Sequence, residues 1–213
     1  MAQGKFIVLE GINGCGKGTQ LPYLVDLIHG ADKSSTVFVT REPNDFDNNG
    51  RKAREMLGAD GDPYENALEA VKYFAENRKA HNEIFVPMLE KGINVISDRY
   101  WHSNFAFQGA QGVPYSEILL ANEGSWIPDL TLILDVSVEV AFERLAGRDG
   151  EKRRKFDSNK DFLANVAANY QEISFLSPLW LKGENVYLID GNRPIEAVQK
   201  RIKFAYDSVF KDA

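Results

Sequence analysis

The stretch GINGCGKGTQ, residues 11–20, decides how the rest of the chain is interpreted. It follows the short apolar run KFIVLE (5–10) and precedes a helical pattern over residues 17–29. Between a strand and a helix, the glycines of such a loop let backbone N–H groups turn towards phosphate oxygens, and the helix N-terminus adds a positive dipole. The stretch therefore predicts a phosphate-binding loop for a nucleoside triphosphate.

We expect different roles for the individual residues of this loop. Lys17 is expected to reach the β- and γ-phosphates of the nucleotide. Gly18 stands where the common pattern has a Ser or Thr whose hydroxyl binds Mg²⁺, and Thr19 offers a hydroxyl one residue later. Cys15 is interpreted either as a small packing residue or as a thiol whose alkylation blocks nucleotide binding. The loop residues expected to bind the nucleotide are Gly11, Asn13, Gly14, Cys15, Gly16, Lys17, Gly18 and Thr19.

Short apolar runs recur along the chain and predict a parallel sheet. They are rich in β-branched residues and do not alternate with polar ones, as in strands that helices cover on both faces. Helical patterns separate them, which favours an α/β fold with a P-loop NTPase-type five-stranded parallel sheet and helices on both faces. The ligand crevice is then expected beyond the carboxyl ends of the strands. The predicted strands are 5–10, 36–40, 93–98, 130–136 and 186–190, and the helices are 17–29, 64–91, 137–147, 159–177 and 194–210.

Composition narrows the class of protein. The 213 residues are 44% hydrophobic, enough for one domain over 1–213 with a full core. The formal net charge of −6 makes a general nucleic-acid binder unexpected, so an anionic ligand needs local clusters of basic residues. The single Cys excludes an intrachain disulfide and suits a reducing compartment. No apolar run approaches the roughly 18 residues of a membrane span, so we expect a cytoplasmic protein without membrane contact.

Charged residues follow two of the predicted strands. Asp98, Arg99 and Tyr100 come after INVIS (93–97), and Arg41 ends TVFVTR (36–41). An acid at a strand end opposite the phosphate loop is the usual place for a ligand of magnesium-bound water. Arg99 could clamp a phosphate with two hydrogen bonds. The alternative for this pair is a surface salt bridge.

Several motifs, taken in their order along the chain, resemble those of the thymidylate kinase family. They are the phosphate loop, TREP (40–43), Phe74 with Arg78 four residues later, DRY (98–100), FQG (107–109), PDLT (128–131) and a basic segment, and they span about residues 5 to 205. GKGTQ also resembles the loop of adenylate kinase, where magnesium is held largely by phosphates and water. The resemblance implies ATP and Mg²⁺ as donor and cofactor, dTMP as acceptor, and a homodimer packed through helices such as 64–91.

The resemblance also implies roles at the acceptor side. Phe74 and Arg78 share one helix face, so the ring could stack on a pyrimidine while Arg78 donates to a base carbonyl. The alternative is a core Phe with an Arg that snorkels to the surface. Phe107 is expected near the sugar 2′ carbon, where it leaves no room for a 2′-hydroxyl. Tyr170 is interpreted equally as a substrate neighbour or a core residue. The full acceptor set is Arg41, Phe74, Arg78, Arg99, Ser103, Asn104, Phe107, Gln108 and Tyr170.

The basic segment GRDGEKRRKFD (147–157) is predicted to be an exposed lid loop. Phosphoryl transfer needs cations on the transferring group, and no Arg lies between Gly11 and Gly16. Arg148 and Arg154 align best with lid arginines of the family and join Lys17 and Arg99 as predicted catalytic residues. Arg193, after the last strand, is expected beside adenine, with a simple turn as the alternative.

Three positions depart from the family pattern. Asn13 stands where most members have Asp or Glu, Gly18 replaces a hydroxyl residue, and the segment 44–57 lacks the usual GGT-type sequence. A kinase of another nucleoside monophosphate, such as dUMP, therefore stays open as an alternative. A more distant alternative is a nucleotide-binding regulatory protein on a kinase fold.

Overall fold

The computed structural model describes residues 3–58, 62–149, 159–180 and 184–211. Five strands form one parallel sheet in the order β2-β3-β1-β4-β5. Their bounds are β1 Phe6–Glu10, β2 Val37–Arg41, β3 Asn94–Asp98, β4 Leu130–Asp135 and β5 Asn185–Asp190. The predicted fold class is confirmed, and each predicted strand agrees with an observed one to within one residue at either end.

Burial along the strands follows their position in the sheet. β1 in the centre is buried at all five residues, and its neighbours β3 and β4 are buried at every residue except the last. The edge strands β2 and β5 are partly exposed. Runs without alternation therefore mark the inner strands, because helices cover both faces of the sheet there.

Eight helices surround the sheet in the described part of the chain. Their bounds are α1 Lys17–Ala31, α2 Asn48–Gly58, α3 Ala67–Glu90, α4 Trp101–Ala110, α5 Tyr115–Ala121, α6 Val138–Asp149, α7 Lys160–Trp180 and α8 Ile195–Phe210. None of the described helices is long and apolar enough to cross a membrane.

Three of these helices, α2, α4 and α5, were not expected from the sequence. Seven of the ten residues of α4 are buried, polar ones included, so the amphipathic contrast that marks a surface helix is missing. α2 buries only Gly50 and Ala53, which give no apolar stripe, and α5 has only seven residues.

The predicted lid needs one correction. α6 continues to Asp149, so residues 147–149 are helical rather than part of a loop, because their polar side chains do not by themselves end a helix. The remainder of the segment, residues 150–158, lies outside the described residues.

The core between β1 and α3 depends on a cluster of aromatic rings. Phe85 of α3 is fully buried, and its ring centroid lies 4.7 Å from that of Phe6 and 5.0 Å from that of His81. Tyr100 packs edge-on against Phe6 at 5.1 Å. This cluster fixes α3 against the sheet directly beneath the residues that follow β2 and β3.

Replacing Phe85→Ala is expected to lower the free energy of unfolding by about 3–5 kcal/mol, because it leaves a cavity within this ring cluster. Chemical denaturation of both proteins measures the difference. Phe204→Ala is the control, since that ring is 61% exposed and its removal should change stability by less than about 0.5 kcal/mol. Equal losses for the two variants would contradict the assignment of Phe85 to the core.

Candidate active site

The phosphate-binding loop joins the end of β1 to the first turn of α1. Gly11, Gly14 and Gly16 have φ angles of 132°, 83° and 105°, a backbone region that other residues rarely adopt. A Cβ atom at Gly11 would lie 2.6 Å from the carbonyl oxygen of Leu134, and one at Gly14 would lie 2.6 Å from that of Ala141. The loop therefore needs glycine both for its turns and for its close approach to β4 and α6.

Lys17 lies over this loop. Its ammonium donates a hydrogen bond to the Gly11 carbonyl at 3.0 Å and lies 3.4 Å from the Ile12 carbonyl oxygen. Cys15 is buried, with its Sγ 3.7 Å from the same ammonium, which favours its interpretation as a packing residue. A reagent would need a local opening of the loop to alkylate this thiol.

Gly18 and Thr19 are exposed in the first turn of α1. Apart from its chain neighbours and the backbone of its own helix, no atom of the described residues lies within 4 Å of a Cβ built at Gly18. The absence of a hydroxyl at this position is therefore a property of the sequence and is not imposed by packing.

Asp98 and Arg99 follow β3 beside the loop. Arg99 has a φ of 74°, which is uncommon for a residue other than glycine. Its guanidinium donates to Asn13 Oδ1 at 2.7 Å, to Ser103 Oγ at 3.1 Å and to Tyr170 Oη at 3.0 Å. The side chain is only 15% exposed, so the alternative of a surface salt bridge is wrong.

Glu10, the last residue of β1, lies beneath Arg99 and was not singled out from the sequence. Its carboxylate is fully buried and accepts hydrogen bonds from the Tyr100 amide at 2.7 Å, from Ser103 Oγ at 2.8 Å and from Tyr170 Oη at 2.8 Å. The Arg99 guanidinium lies 4.0 Å away. An acid that ends an otherwise apolar buried strand, directly before the phosphate loop, is the signal that could have identified it.

Burial and charge determine the protonation of this cluster. Burial raises the pKa of Tyr170 well above its usual value, and the neighbouring negative charge of Glu10 raises it further. The phenol therefore stays protonated and donates to Glu10. For Arg99, burial alone lowers the pKa, but the surrounding Tyr170, Glu10 and Asp98 raise it above its ordinary value, so the guanidinium stays charged.

One pocket opens between the ends of β2 and β3, α3 and α4. Asn13 of the phosphate loop and Asp98 line it, and α2 adds Arg54 and Leu57, so the pocket adjoins the predicted triphosphate site. The structure brings together eight of the predicted acceptor residues as its lining: Arg41, Phe74, Arg78, Arg99, Ser103, Asn104, Phe107 and Gln108. Tyr170, the ninth, is buried behind Arg99.

Arg78 occupies the inner end of this pocket. It is only 1% exposed, so the alternative of a snorkelling Arg is wrong. Its Nε and Nη2 atoms each lie 2.8 Å from Glu42 Oε2, and Nη1 donates to Asn104 Oδ1 at 2.7 Å and to Asn122 Oδ1. Glu42 also contacts His81 Nδ1 at 3.0 Å. These contacts immobilise the guanidinium.

Phe107 forms one wall of the pocket and is 8% exposed. The Arg99 guanidinium carbon lies 5.2 Å from the centre of its ring, and the Tyr170 ring packs edge-on at 6.4 Å. The ring is therefore held between the cation and the core, with one side towards the pocket.

The far side of the phosphate loop contacts α6 and the turn after β5. Arg144, which was not predicted from the sequence, donates to the Gly191 carbonyl at 3.0 Å and to the Cys15 carbonyl at 3.4 Å. Arg193 is 70% exposed and pairs with Asp190 at 2.8 Å. Its contact with adenine stays a prediction. Arg154 and the side chain of Arg148 lie outside the described residues.

The parallel sheet, the phosphate loop and the adjoining pocket define a kinase of the P-loop NTPase type. A family model described as thymidylate kinase matches residues 9–202. The chain belongs to the thymidylate kinase family.

Individual relatives cover nearly the whole chain. It is 34% identical to the thymidylate kinase of Janthinobacterium sp. (strain Marseille), over 95% of this chain and 96% of that protein. It is 32% identical to the thymidylate kinase of Methylobacillus flagellatus, over 94% and 95% of the two chains. It is 31% identical to the thymidylate kinase of Ruthia magnifica, over 95% of this chain and 97% of that protein.

Replacing Glu10→Gln is expected to lower the free energy of unfolding by about 2 kcal/mol. The new amide places N–H donors against the hydroxyls of Ser103 and Tyr170 and removes the negative charge near Arg99. Denaturant unfolding followed by tryptophan fluorescence measures the change. Glu123→Gln, an exposed site, is the matched control and should stay within about 0.5 kcal/mol of the parent protein. An unchanged stability for the Glu10 variant would argue against its organising role.

Proposed function

We propose that the protein transfers the γ-phosphoryl group of ATP to dTMP and so forms dTDP and ADP. The observation that carries this proposal is the position of Arg99, which contacts Asn13 of the phosphate loop and also lines the adjoining pocket. One cation then faces both the donor and the acceptor phosphates. This is the arrangement that a direct transfer between two bound nucleotides requires.

On the donor side, the N–H groups of residues 11–19 and the N-terminus of α1 bind the β- and γ-phosphates. Lys17, whose ammonium already lies at the loop, adds its charge to these oxygens. Arg144 ties the loop to the turn 190–193, where the adenine lies in this proposal. Arg193 flanks the base there.

Magnesium fits the residues at this site. Asp98 Oδ1 is buried and has no hydrogen-bond partner among the described residues, so it is available to a metal-bound water. No group of three or more His, Cys, Asp or Glu side chains in the described chain could hold a metal by itself, which suits an ion held mainly by phosphates and water. When bound, Mg²⁺ neutralises charge on the β- and γ-phosphates.

On the acceptor side, Arg41 and Arg99 bind the monophosphate. Both line the pocket at the ends of neighbouring strands, β2 and β3. Two arginines there favour a substrate that already carries a phosphate over a free nucleoside. Phe74 stacks on the pyrimidine and Arg78 donates to it, while the Phe107 ring occupies the space that a 2′-hydroxyl would need.

The reaction requires little acid–base catalysis by the protein. An oxygen of the dTMP phosphate attacks the γ-phosphorus of ATP in line, the bond to the β–γ bridging oxygen breaks, and ADP leaves with that electron pair. Lys17 and Arg99 stabilise charge on the transferring group, and in this proposal Arg148, at the end of α6, and Arg154 of the lid segment add to that charge. The closed lid keeps out water that would otherwise hydrolyse ATP.

We further propose a cytoplasmic homodimer packed through α3. Leu68, near the start of this helix, is apolar and 52% exposed, so a second copy packed there would cover it. The single, buried Cys15 suits a reducing compartment.

A coupled assay of ADP release tests the proposed activity. With ATP and Mg²⁺ present, dTMP is expected to give the highest kcat/KM in a panel of dTMP, dUMP, UMP, dCMP, dGMP, AMP and thymidine. Thymidine should not be phosphorylated, because it has no phosphate for Arg41 and Arg99 to bind. The preference among monophosphates should follow from the contacts of the base and sugar with Phe74, Arg78 and Phe107. Preference for dUMP would keep the kinase and replace its acceptor, whereas ATP binding without acceptor-dependent turnover would favour a regulatory protein.

The sugar preference is expected to depend on the Phe107 ring. Phe107→Ala opens space beside the sugar, so the ratio of kcat/KM for dUMP over UMP should fall about tenfold relative to the parent, a difference of about 1.4 kcal/mol. Phe107→Tyr retains the ring and is the matched control, with a ratio near that of the parent. A ratio that is unchanged in the Ala variant would place the 2′ carbon elsewhere.

A further inference from the structure

One side of the acceptor pocket is formed by a helix that was not expected from the sequence. Arg54 and Leu57 of α2 line the pocket together with residues of β2, β3, α3 and α4. Most of α2 lies in the segment 44–57, which departs from the family pattern. The contacts that hold this helix in place therefore bear on the acceptor site.

The helix α2 and the loop before it form one unit. Asp47 Oδ1 accepts a hydrogen bond from the Gly50 amide at 2.7 Å, which satisfies a donor in the first turn of the helix. Further along the helix, Arg54 donates to the Pro43 carbonyl and pairs with Asp45. A displacement of α2 would therefore carry the loop with it or break these contacts.

Asn77 of α3 attaches this unit to the rest of the protein and is only 1% exposed. Its Oδ1 accepts from the Asn44 amide at 3.0 Å, and its Nδ2 donates to Asn44 Oδ1 at 3.0 Å and to Asp47 Oδ1 at 2.8 Å. Among the described residues, one other side-chain hydrogen bond joins the unit to α3. It runs from Lys52 to the Tyr73 hydroxyl at 3.4 Å and is exposed.

The two ends of the Asn77 amide are not interchangeable. A backbone N–H can only donate, so the oxygen of Asn77 must face the Asn44 amide. The nitrogen then faces the oxygen of Asp47, which also accepts from α2. Both contacts are therefore needed at once, and only an amide supplies a donor and an acceptor in this way.

The packing at Gly50 brings the first turn of α2 directly against these groups. A Cβ atom at Gly50 would lie 1.8 Å from the Asn44 carbonyl oxygen and 2.6 Å from Asn77 Nδ2. Any other residue at this position would push the helix away from α3. The position of α2 thus depends on close packing as well as on hydrogen bonds.

We propose that Asn77 and Asp47 are positioning residues that hold α2 against α3 and so keep Arg54 and Leu57 in the acceptor pocket. Neither Asn77 nor Asp47 lines the pocket, so both act through the helix and touch no substrate. Loss of the attachment should weaken binding of the acceptor and spare the donor. This inference rests on the proposed function, because it concerns the acceptor of the same site.

An exchange of the amide and the carboxylate tests the attachment. Asn77→Asp sets a carboxylate oxygen against Asp47 Oδ1, so KM for dTMP should rise at least about fivefold. Asp47→Asn alone leaves an oxygen for both donors, so a rise of about twofold is expected. In the double variant the new amide at position 47 donates to the new carboxylate at position 77. KM for dTMP should then return to within about twofold of the parent.

KM for ATP separates this effect from a general loss of structure. It should stay within about twofold of the parent in all three variants, because the phosphate loop is not part of the unit that Asn77 holds. Recovery in the double variant supports the pairing even where Asn77→Asp alone folds poorly. A double variant as weak as Asn77→Asp, or weaker, would overturn the pairing.

Gly50→Ala displaces the same helix without a change of charge. Its methyl group meets a backbone carbonyl, so a rise of at least about fivefold in KM for dTMP is expected. Gly58→Ala, at the other end of α2, is the matched control. Apart from its chain neighbours and its own helix, no described residue lies within 4 Å of a Cβ there, so KM should stay within about twofold. Equal KM values for the two variants would contradict the proposed attachment.

Hydrogen exchange measured by mass spectrometry gives a readout that needs no turnover. Amides of residues 44–58 should exchange faster in Asn77→Asp and Gly50→Ala than in the parent, because α2 is released from α3. Amides of α1 should keep the rate of the parent. Unchanged exchange over residues 44–58 in both variants would overturn the role of Asn77.

The parent protein distinguishes this inference from the proposed function. Turnover of dTMP by the parent, with the same KM in Asn77→Asp and Gly50→Ala, would overturn the inference and leave the kinase standing. Absence of turnover with dTMP in the parent would remove the proposed function itself.

Discussion

Glu10 places a negative charge at the end of the central strand, in a position that water does not reach. A buried carboxylate is tolerated only where hydrogen bonds satisfy its oxygens, so the groups around it cannot move independently. They include the backbone at the start of α4 and the hydroxyls of Ser103 and Tyr170. Arg99 is bound to those same hydroxyls, and its direction towards the phosphate loop therefore follows from the strand end beneath it.

A second buried carboxylate lies beside an arginine at the other end of the pocket. Glu42, directly after β2, fixes Arg78 through Oε2 and contacts His81 through Oε1. In both places a buried carboxylate lies beside an arginine that lines the pocket. A chain with a net charge of −6 can thus bind anionic nucleotides, because its positive charge is concentrated where acids behind it keep it oriented.

The structure shows the surroundings of two residues that depart from the family pattern, Asn13 and Gly18. Asn13 accepts a hydrogen bond from Arg99 but brings no charge, so it orients the guanidinium without neutralising it. Among the described residues, none outside α1 would contact a Cβ at Gly18, so the chain lacks a hydroxyl that it could accommodate there. Side-chain hydrogen bonds also run from Arg78 through Asn104, Gln108 and Gln111 to the Pro63 carbonyl before α3.

The sequence by itself determined the five strands, their parallel direction and most of the residues that gather at the carboxyl edge of the sheet, but not the order of the strands. Unbroken apolar runs indicate strands that are buried on both faces of the sheet. The glycine loop indicates a turn that few other sequences can make. Only the tertiary structure decided which side chains hold the others. Glu10 and Arg144 contact residues that are distant in the chain, and no local periodicity encodes such contacts. The sequence could not predict the burial of Arg78 for the same reason. Its partners Glu42, Asn104 and Asn122 come from three separate segments that meet only in the folded protein.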